Sequence, residues 1–169
     1  RSFDECDTSP ETLGKSFGGG GDGDGGEDDG YDRTRFHVHF GAGRLGLGLV
    51  VGAISRSKVP YGIVQRPKSS WGGIIAQGCG AQIEITVNGK AIASDITVIS
   101  EGCDVEEYLK VGRAALAVVG DRSTLLQLVQ KATSFSCSLG SAITIAMIPL
   151  LSELDDKPLE ERPVLYACE

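Results

Sequence analysis

The sequence is poor in features that mark several classes of protein. Its longest apolar run, 142–151, falls short of the roughly 18–20 residues that a membrane span needs. Aromatic residues make up 6%, too few for a platform that stacks RNA bases, and the net charge of −7 argues against binding to nucleic-acid phosphates. The five cysteines are widely spaced, without a CxxC pair. They predict reduced intracellular thiols rather than a disulfide framework or a zinc site.

The acidic excess is confined to the first 33 residues, which hold ten acidic and three basic side chains. Residues 34–169 are balanced, with 13 of each sign. The segment 14–30 contains nine glycines and almost no apolar side chains. It therefore cannot bury enough apolar surface to offset the entropy cost of ordering the chain. We therefore predict an acidic, Gly/Asp-rich tail of disordered type over 1–33, which a protein partner could order.

No metal site is predicted in that tail. Asp22 and Asp24 alternate as in a calcium-binding loop, but Gly26, Glu27 and Arg33 stand where the pattern needs Asp or Asn, Gly and Glu. The chain begins with Arg1, and its one methionine is Met147. These two facts suggest a processed chain, and the cysteines suggest a reducing intracellular compartment, with a plastid or mitochondrion as the alternative after removal of a targeting peptide.

Residues 34–169 predict a three-layer, Rossmann-like α/β domain. A short alternating strand, a glycine turn, an apolar helical stretch and a second strand follow each other within 30 residues. Asn88-Gly89 indicates a β-hairpin inserted into a mainly parallel sheet. The predicted strands are 36–40, 61–65, 82–87, 92–99, 114–119 and 163–167, and the predicted helices are 47–57, 104–110, 123–134 and 142–154.

The first strand leads into a Gly-x-Gly-x-x-Gly motif, the fingerprint of a dinucleotide-binding turn. Gly41 allows the tight turn, Gly43 lets a pyrophosphate approach the backbone, and Gly46 lets the helix pack against the strand. The helix that starts near Arg44 would offer free N–H groups to the phosphates. The predicted phosphate-binding residues are Gly41, Ala42, Gly43, Arg44, Leu45 and Gly46.

The second half of the fingerprint is incomplete. An acidic residue should end the second strand and bind the ribose hydroxyls, but Gln65 stands there. Arg66 and Lys68 follow and could hold a 2′-phosphate, so NADP is favoured over NAD. Gly120, at the end of the strand 114–119, is predicted to border the nucleotide. The alternative is that Arg66 and Lys68 belong to a solvated loop of a domain that binds no nucleotide.

Two histidines alternate on the first strand. His37 and His39 point to the same face, without a carboxylate or cysteine partner nearby in the sequence. We interpret them as core or edge residues rather than as ligands or bases. No catalytic residue is predicted.

The segment His39–Gly48 resembles the HFGAGxIGRGF opening of mannitol-1-phosphate 5-dehydrogenases, within the polyol dehydrogenase family. The predicted hairpin 82–99, the segment Ala117–Gly120 and the segment Leu165–Glu169 resemble later parts of that family in the same order. The resemblance implies a domain that uses NAD or NADP to interconvert fructose 6-phosphate and mannitol 1-phosphate, or a related polyol–ketose pair. It also implies that Gly41–Leu47 hold the pyrophosphate and that Gly120 borders the nicotinamide.

The chain departs from this family in two respects. Gln65 replaces the acidic residue, and the family's helical substrate domain, with its proton-transferring lysine, is not in this sequence. We therefore expect a cofactor domain that is inactive alone. The alternative is a non-catalytic Rossmann-fold subunit of a larger complex, for example an organellar one.

Overall fold

A computed structural model describes residues 30–111, 113–140 and 147–167, which form one seven-stranded sheet between two layers of helices. The strand order is β3-β4-β5-β2-β1-β6-β7, and every pair is parallel except β3–β4. The prediction of an α/β domain with a mainly parallel sheet and an inserted hairpin is therefore confirmed. The strands are β1 His37–Phe40, β2 Tyr61–Gln65, β3 Gln82–Val87, β4 Lys90–Ile99, β5 Ala114–Val118, β6 Ser134–Cys137 and β7 Val164–Ala167.

The helices are short, and the first contains a π-helical stretch. The first helical segment, residues 44–54, is π-helical over Gly46–Val51 and ends as α1, Gly52–Ile54. π-Helical stretches are rare in proteins, and those that occur are often found at functional sites. The other helices are α2 Gly72–Ile75 after a 3₁₀ turn at Ser69–Trp71, α3 Val105–Val111, α4 Arg122–Lys131 and α5 Ile148–Leu151, with further 3₁₀ turns at Ser152–Leu154 and Leu159–Glu161.

Each face of the sheet has its own hydrophobic core, because successive side chains of a strand point to opposite faces. On one face, Leu116 and Ile63 pack with Val51 of the first helical segment. On the other, Phe135 and Val38 pack with Leu128 of α4. Helices thus cover both faces, and the carboxyl ends of the parallel strands meet at one edge.

The sequence-based assignment is wrong between residues 132 and 137. The helix predicted over 123–134 ends at Lys131, and the chain then forms β6, which was not predicted. Ala132 already has an extended backbone. The strand pairs with β1 on one side and β7 on the other, so two neighbours compensate for its four-residue length.

The other predictions have mixed outcomes. Asp104 caps α3 as predicted, accepting a hydrogen bond from the N–H of Glu106 at 2.9 Å. Of the helix predicted over 142–154, the part 142–146 lies outside the described residues, and α5 with its 3₁₀ turn forms the remainder. Most of the acidic tail, 1–29, and the last two residues, 168 and 169, also lie outside the described residues.

Cys79 and Cys103 form a disulfide that joins the loop before β3 to the turn after β4. The prediction of reduced thiols is therefore wrong for these two residues. The reason is tertiary, because 24 positions separate them in sequence while their Cα atoms lie 5.9 Å apart. Cys137 is a buried free thiol on β6. The compartment stays a prediction.

No helix in the described ranges combines the length and the hydropathy that crossing a bilayer requires.

Candidate dinucleotide site

The glycine motif lies at the carboxyl end of the central strand β1, where the sheet changes direction. From β1 the chain proceeds to β2 and β5 on one side, and to β6 and β7 on the other. In open α/β sheets such a switch point creates a crevice outside the strand ends, where ligands bind. The motif therefore stands at the position that the strand order favours for a ligand.

Two of the three glycines are required by the local geometry. Gly41 has a φ of +111°, a conformation that L side chains rarely adopt, and its N–H donates to the carbonyl of Val64. A Cβ added to Gly46 would lie 1.8 Å from the carbonyl oxygen of Gly41. The first helical segment therefore approaches β1 so closely that only glycine fits at position 46.

Gly43 has the opposite environment, because no heavy atom lies within 4 Å of a Cβ added there. Helical structure begins at Arg44, and the amides of Gly43, Arg44 and Leu45 donate to no described residue. Arg44 and Leu45 are exposed, whereas Ala42 is buried. The turn thus presents unpaired N–H groups and open space, the arrangement that binds phosphate at a helix N-terminus.

Gln65 is turned toward the glycine turn. Its side-chain oxygen accepts from the N–H of Ala42 at 3.0 Å, and its side-chain nitrogen donates to the carbonyl of Arg66 at 2.9 Å. An amide has two N–H donors and two lone pairs, so one of each remains. Gln65 therefore holds the turn and keeps only part of its capacity for a ribose.

Arg66 and Lys68 follow β2 and are exposed. Neither side chain makes a hydrogen bond or an ion pair with a described residue. Gly120 follows β5 at the same edge, close to the ring of Pro67, and its N–H donates to the carboxylate of Glu101 at 3.2 Å. Two acidic side chains, Glu101 and Asp121, and the two basic side chains therefore lie around the ends of β2 and β5.

The strand order determines how far Gly120 lies from the glycine turn. The resemblance implies that Gly120 borders the nicotinamide, which requires β5 to lie beside β1. In the structure β2 separates them, and β6 is the other neighbour of β1. Gly120 thus lies at the end of a strand that is not adjacent to β1, and its contact with a nucleotide stays a prediction.

A chain of serine and histidine side chains joins β1 to β6, and sequence reasoning missed it. His37 contacts Ser134 through Nδ1 at 2.8 Å and Ser136 through Nε2 at 2.7 Å. His39 contacts Ser136 through Nδ1 at 2.7 Å and Ser138 through Nε2 at 3.1 Å. The Ser138 hydroxyl donates to the carbonyl of Gly41 at 3.0 Å, so the chain ends on the glycine turn.

Both imidazoles are neutral at neutral pH. Burial lowers the pKa of His37 to about 4, with a further contribution from the positive charge of Arg35. Burial also lowers the pKa of His39 to about 4, and the neighbouring His37 adds to this effect. The interpretation of both as packed histidines agrees with this geometry, although their serine partners were not foreseen. The alternation of Ser134, Ser136 and Ser138 was a signal, but nothing in the sequence pairs it with β1.

Within the described ranges, no cluster of three or more His, Cys, Asp or Glu side chains is arranged to hold a metal ion. No protein-family model, curated protein or solved structure matches the chain.

Proposed function

We propose that this chain is a dinucleotide-binding domain, that it holds NADP in preference to NAD, and that it is related to the cofactor domain of polyol-phosphate dehydrogenases. The observation that carries the proposal is the contrast between Gly46 and Gly43. Gly46 cannot gain a single carbon atom, whereas Gly43 faces open space. This combination brings the helix start close to β1 while leaving the phosphate approach clear.

The donors of the site suit a pyrophosphate and a 2′-phosphate. The free amides of the turn suit the pyrophosphate, because a helix N-terminus binds anions through its backbone N–H groups and its positive dipole end. Arg66 and Lys68 suit a 2′-phosphate, since charge-assisted hydrogen bonds from such groups are the stronger kind. When bound, the cofactor would supply hydride transfer between a polyol phosphate and its ketose. The residues described here would bind and orient it.

Replacing Gly43 with valine tests the proposal. The new side chain fits the free protein but occupies the phosphate approach, so Gly43→Val should weaken NADP binding by about 100-fold or more, equivalent to about 2.7 kcal/mol. Gly48→Val is the matched control, because Gly48 is also exposed and also has open space around an added Cβ. It should change binding less than about twofold. Calorimetric titration of both cofactors measures this.

Two outcomes would overturn the proposal. One is tight NAD or NADP binding by Gly43→Val, and the other is a parent chain that binds neither cofactor. The second outcome would favour a non-catalytic Rossmann-fold subunit of a larger assembly. The observation that supports this second candidate is β7, an edge strand on which Val164, Leu165 and Tyr166 are 55%, 42% and 56% exposed. Sedimentation of the native protein from its source would then show the larger assembly.

A further inference from the structure

The serine–histidine chain has only one self-consistent arrangement of protons. The carbonyl of Gly41 can only accept a hydrogen bond, so the Ser138 hydroxyl donates its single hydrogen to that oxygen. Ser138 must then accept from His39, which places the proton of that imidazole on Nε2 and leaves Nδ1 bare. The unprotonated Nδ1 of His39 therefore accepts the hydrogen bond that the Ser136 hydroxyl donates.

The same argument continues to the far end. Because the Ser136 hydroxyl already donates its hydrogen to His39, its oxygen must accept a hydrogen bond from Nε2–H of His37. The Nδ1 atom of His37 is then bare and accepts from Ser134. All five hydrogen bonds therefore run in one direction, from Ser134 toward the glycine turn.

An added proton breaks this order. If His39 gained a proton, Nδ1–H and the Nε2–H of His37 would both point at Ser136, whose own proton would lose its acceptor. Ser136 is only 3% exposed, so water does not readily replace that partner. The one-way order therefore holds only while His39 is neutral, whereas a proton added to Nδ1 of His37 would reverse only the bond to Ser134.

We propose that His39 and Ser138 are positioning residues that hold the carbonyl of Gly41, and thereby the amides of the phosphate turn, through this one-way chain. The consequence for cofactor binding rests on the function proposed above. A Cβ added to Gly46 would lie 2.9 Å from Nε2 of His39 and 2.8 Å from Oγ of Ser138. The chain therefore lies directly beneath the start of the helix and supports both ends of the turn.

The groups that face the two imidazoles add little competing charge. Arg35 precedes His37, Tyr61 is its register partner on β2, and Tyr166 lines the same groove from β7. β6 contributes only serines, and the first helical segment contributes Gly46, Ala53 and Ile54. Arg35 is the one charged side chain among these groups, and it opposes protonation of His37.

The first test reads the tautomers directly and needs no ligand. The chain contains two histidines, so ring-¹⁵N NMR of the intact protein resolves two imidazoles. Both should be neutral and protonated on Nε2 at pH 7. The amide signal of Ala42 should titrate together with His39 as the pH falls toward 4. An Nδ1–H tautomer at His39, or an Ala42 amide that ignores the titration of His39, would overturn the proposal.

The second test compares variants along the chain for cofactor binding. Ser138→Val should weaken NADP binding by about tenfold, since it removes the hydrogen bond to Gly41. Ser138→Thr has the same shape but keeps the hydroxyl, and it should restore binding. Ser94→Val, at an exposed serine of β4 outside this chain, should change binding less than about twofold. Equal losses for Ser138→Val and Ser138→Thr would contradict positioning by the hydroxyl.

The two tests separate the proposals. A parent chain without NADP binding refutes the proposed function, while the tautomers and the titration of Ala42 still decide whether the chain holds the turn. Normal NADP binding that Ser138→Val leaves unchanged refutes the positioning role and leaves the proposed function standing.

Discussion

The two halves of the candidate site are built in opposite ways. At the end of β1, the turn 41–46 is fixed by a positive φ, a close backbone approach and hydrogen bonds to Gln65 and Ser138. At the end of β2, Arg66 and Lys68 are exposed and bind no described residue. A rigid backbone turn suits the pyrophosphate, which NAD and NADP share. Free basic side chains suit the 2′-phosphate, which only NADP carries. The first half would thus decide whether a dinucleotide binds, and the second half which one.

The glycine turn 41–46 should be strongly destabilised when a single carbon atom is added at Gly46. Because the added Cβ meets backbone rather than a flexible side chain, Gly46→Ala should lower the free energy of unfolding by about 3 kcal/mol or more. Gly48→Ala, in the same helical segment but in open space, should change it by less than about 1 kcal/mol. Urea denaturation measures both, and equal stabilities would refute the close approach.

The second half should depend on the disulfide next to it. The Cys79–Cys103 bridge closes a loop of 24 residues and anchors the turn that carries Glu101. Its reduction should lower the free energy of unfolding by about 3 kcal/mol. The Cys79→Ser variant should show the same loss and no further response to reductant. A peptide map without the Cys79–Cys103 link would contradict the pairing.

Cofactor choice should respond to a single substitution at Arg66, one of the two basic residues after β2. Arg66→Ala should weaken NADP binding by about tenfold, because a charge-assisted hydrogen bond is lost, and should change NAD binding less than about twofold. Lys90→Ala, at the exposed tip of the β3–β4 hairpin, removes the same charge and serves as the control. Calorimetry that shows equal losses of NAD and NADP would remove the claim of NADP preference.

The smallest effect is expected from Glu101. Its carboxylate bonds to Gly120 at the same edge as Arg66 and Lys68, so it opposes an incoming phosphate. Glu101→Gln keeps an acceptor for the Gly120 N–H and removes the charge. NADP binding should strengthen by about twofold at low salt and less at high salt. Glu84→Gln on the exposed side of β3 is the control, and a gain of the same size there would indicate a general charge effect.

Much of the fold was predictable because its signals are local. The alternation in β3, the Asn88-Gly89 turn and the continuous apolar run of β5 each specify an element within a few residues. β6 was missed because Ser134–Cys137 has only four residues and forms a strand through neighbours on both sides. The candidate site divides in the same way, since the glycine motif is a local pattern whereas the bond from Ala42 to Gln65 spans 23 positions.

The sequence by itself determined the α/β class, the positions of most strands and the place of the glycine turn, because each follows from residue types a few positions apart. Only the tertiary structure decided that β5 lies beyond β2, that Cys79 meets Cys103, and that serines from β6 bond to the histidines of β1. These last contacts join residues 97 to 99 positions apart. Their partners are chosen by how the strands are ordered in the sheet, and no local pattern of residues encodes that order.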